Sequence, residues 1–227
     1  MLQYNISADG QRVVFISADD AGRTPIWLAT LDGRSAPRRL GTMDSWMAYF
    51  GQPGEVVFGS VEKHPFIYRI KEDGSAPPQK MISTPDLMPF AVSPDGKWVT
   101  VMDANKWGAL MVYPAGSDPP VKLCDGCSPP QGTDPMPPPL SWTPDARFVY
   151  VKFADASQTG PTFAIPLRPG QMLPPVPVEG FPSKDAVARL PGARLVSEGE
   201  VYPGPNPSIY AFTKVSAQRN IYRVPVS

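Results

Sequence analysis

Histidine is almost missing from this chain. His64 is the only one in 227 residues, and cysteine occurs twice, at Cys124 and Cys127. A structural zinc site built from Cys and His needs four such ligands, so none can be completed within one chain. Charge is also sparse and balanced. Lys plus Arg number 21, Asp plus Glu number 21, and together they make 19% of the residues. Electrostatic capture of nucleic acid requires a basic excess, and none is expected here. No apolar run approaches the roughly 18 residues that cross a bilayer. The opening MLQYNISADG lacks the charged and apolar regions of a signal peptide. A Gly-rich phosphate loop, HRD, DFG and a G-x-S-x-G elbow are likewise absent. Phosphoryl transfer or triad hydrolysis by these residues alone is therefore not expected.

Proline and glycine are plentiful, at 31 and 19. They fall between short apolar runs at repeated offsets, which marks them as turn residues and not as a linker. The clearest stretch runs from Pro89 to Leu123. It holds the runs FAV, WVTV, LMVY and VKL, with Ser93-Pro94-Asp95-Gly96 between the first two and Ala115-Gly116 between the last two. That is the pattern of four antiparallel strands folded back and forth. Equivalent first turns read Ser7-Ala8-Asp9-Gly10, Gly51-Gln52-Pro53-Gly54, Thr143-Pro144-Asp145-Ala146 and Gly204-Pro205-Asn206-Pro207. Pro presets φ at the second position, Asp or Asn suits the third, and Gly accepts the left-handed conformation that follows. Ala146 and Pro207 break the rule. Proline cannot take positive φ, so the fifth turn is expected to differ in geometry or register.

Inner strands precede these turns, with core candidates Ile6, Phe50, Val92 and Trp142. Second strands follow at 13–15, 56–58, 98–101, 148–151 and 209–212, rich in β-branched and aromatic residues. Third strands are expected at 26–31, 66–70, 110–113, 163–167 and 220–224. Each of the first four ends in a turn carrying Gly33, Gly74, Gly116 or Gly170, and four positions beyond each stands Pro37, Pro78, Pro120 or Pro174. Fourth strands are then expected at 38–40, 79–82, 121–123 and 176–178, short and often basic, as suits an exposed edge. The first turns recur at Gly10, Gly54, Gly96, Ala146 and Pro207, spacings of 44, 42, 50 and 61 residues. Such a period with four strands per unit indicates propeller blades. The expected fold is an all-β propeller of about five four-stranded antiparallel blades, the last incomplete, forming a single domain. Its units run about 1–41, 42–83, 84–124, 125–198 and 199–227. The missing last strand leads us to expect a piece of a larger propeller. In the long last interval, Ser183 to Leu190 reads as one short helix with a Ser N-cap, with an irregular loop as the alternative.

ISADGQRVVF with IWLATLDG, and AVSPDGKWVTV with LMVYPAG, resemble the TolB-type, WD-repeat-like propeller repeat. The C-terminal LPGARLVSEGEVYPGPNPSIYAFTKVSAQRNIYRVPVS resembles the ends of propellers fused behind bacterial serine/threonine protein kinases. The resemblance implies a non-catalytic sensor or binding part of such a kinase, extracytoplasmic if the parent is membrane-anchored and cytoplasmic otherwise. The alternatives are the substrate-gating propeller of a prolyl-oligopeptidase-type peptidase, or a propeller hydrolase with a carboxylate-bound metal. The inner strands offer no carboxylates for the latter.

Loops joining second to third strands, and unit to unit, should cluster on one face. They carry Asp19, Asp20, Arg23, His64, Asp103, Asn105, Lys106, Trp107 and Asp155, with Trp46 and Asp86 from the connectors. Mixed charge around two tryptophans suits recognition of a protein or small ligand; solvated loop polarity is the alternative. No cofactor or metal is expected. Asp9, Asp95 and Asp145 are explained by their turns, in separate blades at the rim. Cys124-Asp125-Gly126-Cys127 precedes Pro129 and Pro130, which argues against the helix start of a redox-active pair. Free thiols or a local disulfide both fit.

Overall fold

The computed structural model describes residues 3–103, 109–116, 118–125, 127, 139–153, 160–197 and 201–212. Period-two alternation builds the first sheet. β1 (Gln3–Ile6), β2 (Arg12–Ile16) and β3 (Pro25–Thr30) are followed by the 13-residue β4 (Arg38–Phe50). β5 (Glu55–Ser60), β6 (Ile67–Lys71) and β7 (Gln79–Ile82) complete seven antiparallel strands in chain order. β8 (Leu87–Val92), β9 (Trp98–Asp103), β10 (Ala109–Pro114) and β11 (Val121–Asp125) form a second sheet. β12 (Leu140–Trp142), β13 (Phe148–Lys152), β14 (Thr162–Pro166) and β15 (Arg194–Ser197) form a third, and β16 (Val201–Asn206) pairs with β17 (Ile209–Phe212).

The sheets stack face to face, and the cores lie between them. Val14, Ile16, Ile26, Leu28 and Leu40 of unit one meet Ala48, Val56, Phe58 and Ile70 of unit two. Val57, Ile67 and Ile82 on the other face of unit two meet Leu87, Val99 and Val101 of unit three. Leu110, Val112 and Leu123 meet Leu140, Trp142, Val149 and Val151 of unit four. Tyr150 and Ala164 then meet Val201 of the last hairpin. A middle unit thus buries both faces, and this is why β5 has no exposed residue. Near the axis, polar side chains join neighbouring units. The Gln3 amide donates to Ala48 O at 3.1 Å and accepts from Ala48 N at 3.0 Å, and Asn5 Oδ1 accepts from Phe50 N at 3.0 Å. Arg12 pairs with Glu72 and lies 5.3 Å from the Phe50 ring centroid.

Three expectations need correction. The outer strand of unit one and the inner strand of unit two are one strand, β4. Bulges near Pro25 and Ser45 let it pair first with β3 and then with β5. Residues 176–178 form no strand, and Val178 is 94% exposed. β15 takes the outer place in unit four, pairing with β14, because the chain between first crosses to unit three. There Phe181 N donates to Leu123 O at 2.6 Å, Phe181 bridges Cys124 in parallel, and its ring is buried with Val187. The helix α1 (Lys184–Ala188) follows, with Ser183 Oγ accepting from Ala186 N. The fifth turn is shifted two residues, as Pro207 led us to expect: Asn206 pairs with Ile209, and Asn206 Oδ1 accepts from Ser208 N at 3.0 Å. Finally, Gly33, Gly74 and Gly170 have φ of 68°, 73° and 79°, whereas Gly116 is not left-handed. The third strand expected at 220–224 lies outside the described residues.

Candidate functional site

Two cavities open on opposite ends of the inner strands. The first turns converge on one of them, near the axis and not spread at the rim. Asn5 to Asp9, Arg12, Gln52, Pro53, Ser93, Pro94 and Pro144 line about 350 Å³ there. The turn carboxylates are consumed locally. Ser7 Oγ donates to Asp9 at 2.5 Å, Ser93 Oγ to Asp95 at 2.5 Å and Thr143 Oγ1 to Asp145 at 2.7 Å. In each turn the backbone N–H two residues on, from Gln11, Lys97 or Arg147, donates to the same carboxylate. The bond from Ser7 holds the Asp9 carboxyl below its ordinary range, and Thr143 does the same for Asp145. These aspartates shape turns.

The other cavity lies where units two and three meet, at the end of β5 from which its loop to β6 emerges. It measures about 290 Å³ and is lined by Trp46, Met47, Gly59, Ser60, Glu62, Pro65, Leu87, Met88 and Pro89. β4 brings Trp46 and Met47, β5 and its following loop bring Gly59 to Pro65, and β8 brings Leu87 to Pro89. Pro89 packs so closely on Gly59 that a Cβ there would stand 3.0 Å from its ring. Behind the wall, Ser45 Oγ bonds Met47 O and Gly59 O, both at 2.9 Å. The Tyr49 hydroxyl lies 3.6 Å from Met47 Sδ, and burial pushes its pKa up. The wall is apolar and fixed, and Trp46 stands 60% exposed at its edge.

Polar groups sit on the rim. Ser60 Oγ donates to Glu62 Oε2 at 2.7 Å and accepts from Phe66 N at 3.0 Å. Burial first, and the Glu62 charge second, raise the pKa of the neighbouring Tyr68. His64 Nδ1 lies 3.3 Å from Asp86. Asp86 takes a left-handed φ of 61° while its N–H donates to Pro65 O at 2.8 Å.

Of the residues singled out from sequence, Trp46 lines this cavity, and His64 with Asp86 adjoins it through Pro65 and Leu87. Asp103 pairs in register with Leu87. Asp19 and Arg23 form an ion pair at 2.7 Å in the loop before β3. That loop is tied to β4 by Thr24 N to Asp44 Oδ1 and by Ser45 N to Thr24 O, one residue from Trp46. Lys106, Trp107 and Asp155 lie outside the described residues. Met47, Glu62, Met88 and Pro89 were not anticipated. Alternation assigns the apolar ones to a core, and Glu62 stood unmarked two residues before His64. Cys124 and Cys127 are joined by a disulfide, with Cα atoms 5.8 Å apart, buried beside Phe181 and Val187. Among the described residues, no group of three His, Cys, Asp or Glu is placed to hold a metal ion, and no helix is long and apolar enough to cross a membrane.

No family model matches this chain, and no curated protein does. Among solved structures it is similar to a putative TolB from Agrobacterium tumefaciens, with TM-score 0.51 and 17% identity, over 72% of this chain and 57% of that one. A β-propeller domain of Myceliophteria thermophila Cps50 (Swd1) matches with TM-score 0.47 and 15% identity, over 78% and 55%. The tricorn protease matches with TM-score 0.48 and 11% identity, over 73% and 16%. The chain spans just over half the length of the TolB structure. At such identity the likeness concerns fold alone. Together with the stacked antiparallel sheets, the likeness to the TolB structure makes this chain an all-β propeller, TolB-like in architecture.

Proposed function

We propose that this chain is a non-catalytic binding module, whose ligand is a segment of another protein seated between units two and three. The observation that carries it is the apolar cavity of about 290 Å³ with the exposed Trp46 at its edge. That volume sits at the low end of the ~300–1,000 Å³ of small-molecule sites and suits one large side chain. Exposed tryptophans beside fixed apolar walls are the groups that carry most energy at protein interfaces. The hydroxyl and carboxylate at the rim, Ser60 and Glu62, are bonded to each other and to the chain. They hold the wall in place.

Peptides selected from a displayed library for binding to the intact chain test this role. Trp46→Ala is expected to weaken the selected peptides at least about tenfold, the scale of a tryptophan anchor, with the far-ultraviolet circular dichroism unchanged. Peptides that bind this variant as tightly as the parent would place recognition elsewhere. We further propose, from the resemblance of residues 190–227, that the module is the sensor part of a bacterial serine/threonine kinase. The encoding reading frame decides that second claim. A kinase domain ahead of Met1 is expected, and its absence removes the kinase assignment while leaving the binding role.

A further inference from the structure

We propose that the seat between units two and three takes an apolar side chain carried next to a Lys or Arg on an extended peptide, and that Glu62 selects the cation. This rests on the binding role above and adds the chemistry of the occupant.

Three observations converge on Glu62. First, its carboxylate is held in place. Ser60, fully buried, donates to Oε2 at 2.7 Å and is itself held by Phe66 N at 3.0 Å. A carboxylate fixed by a buried hydroxyl loses less freedom when a ligand cation arrives, and lost freedom is the usual entropic objection to surface pairs. Second, among the described residues no cation stands within ion-pair distance of it. Its acidic neighbours are engaged otherwise. Asp86 faces His64, Asp44 accepts from Thr24 N, and Asp19 pairs with Arg23. Lys80, beyond β6, lies over the Phe66 ring, 3.2 Å from its centroid. Third, Glu62 lines the same cavity as Trp46, Met47 and Met88. Apolar walls exclude water on one side, so a charge brought beside them feels a lower effective dielectric than on an open surface. The Trp46 ring adds a face that attracts a cation.

The chemistry follows. An aliphatic side chain such as Leu fills the apolar cavity, and the ammonium or guanidinium of its neighbour meets Glu62. A peptide with a carboxylate at that neighbour is repelled.

Isothermal titration of the intact chain with three acetylated, amidated hexapeptides tests this: Gly-Gly-Leu-Lys-Gly-Gly and its versions with Gln or Glu in place of Lys. The Lys peptide is expected to bind tightest, at least about tenfold better than the Glu peptide at low salt. Glu62→Gln should bring the Lys peptide down to the affinity of the Gln peptide and leave the Gln peptide unmoved. Trp46→Ala should weaken all three. Equal affinity for the three peptides, or a Glu62→Gln loss shared by the Lys and Gln peptides, overturns the cation proposal while a Trp46→Ala loss keeps the binding role. No binding of any peptide up to roughly 1 mM, or binding indifferent to Trp46→Ala, overturns the binding role and this inference with it.

Discussion

Gly10 and Gly96 close equivalent turns with the same φ of 69°, yet they are not interchangeable positions. Nothing stands within 4 Å of a Cβ built on Gly10, whereas one on Gly96 would run into the backbone of Gly51 and Gln52 in the neighbouring unit. Gly10→Ala carries only the left-handed penalty, about 1 kcal/mol. Gly96→Ala adds the steric cost of parting two units, about 2–4 kcal/mol in all. Ala146 is the reverse case. It holds φ of 56° and closes its turn with Ala146 N to Thr143 O at 2.9 Å, just as Gly96 N bonds Ser93 O at 2.8 Å. Ala146→Gly should therefore stabilise by about 0.5–1 kcal/mol. Urea unfolding of the three variants gives the order. A Gly96→Ala loss no larger than that of Gly10→Ala would contradict the close approach of units two and three.

At the scale of elements, the hairpin turns share one electrostatic device. Hydroxyls of Ser7, Thr30, Ser75 and Thr143 are the leading cause holding the carboxyls of Asp9, Asp32, Asp73 and Asp145 below their ordinary 3.8. A carboxyl whose folded pKa lies under its unfolded one contributes stability that is complete above the unfolded value. That stability is lost as pH falls through the folded one. Thermal unfolding is thus expected to be level from neutral pH to about 5 and to fall below about pH 4. Asp9→Asn with Asp145→Asn should flatten the acid limb, and an unchanged slope would show that other groups set it. These turns were legible because Ser-x-Asp-Gly encodes its own bonds within five residues. Strand existence was legible for the same reason, since alternation is local. The outer place of unit four was not. Nothing in 171–197 says that Phe181 will find Leu123, nearly sixty positions back, so VPV at 176–178 reads as the outer strand and RLVS at 194–197 goes unmarked. The seat between units two and three was only partly legible. Trp46, His64 and Asp86 stood out by residue type, but Met47 and Met88 carry no mark that separates a pocket wall from a core, and Glu62 gains meaning only beside them.

At the scale of the molecule, two kinds of seam join the units. Units two, three and four meet mainly through side-chain packing, supplemented between two and three by Asp86 N to Pro65 O and the His64–Asp86 pair, and between three and four by the Phe181 crossing and the buried Cys124–Cys127 link. Units one and two share a strand. Because β4 bonds to β3 over its first part and to β5 over its last, opening either unit pulls on the strand to which the other is paired. Native-state deuterium uptake should report β2, β3, β5 and β6 as one cooperative block with a common opening free energy, and β9 with β10 as a separate block. Distinct opening energies for β3 and β5 would mean that the shared strand transmits nothing. If they coincide, the proposed seat has one wall in a two-unit slab and the other in a unit that opens separately. A peptide filling the proposed seat would then bridge the two blocks, visible as slower exchange at Leu87 and Met88.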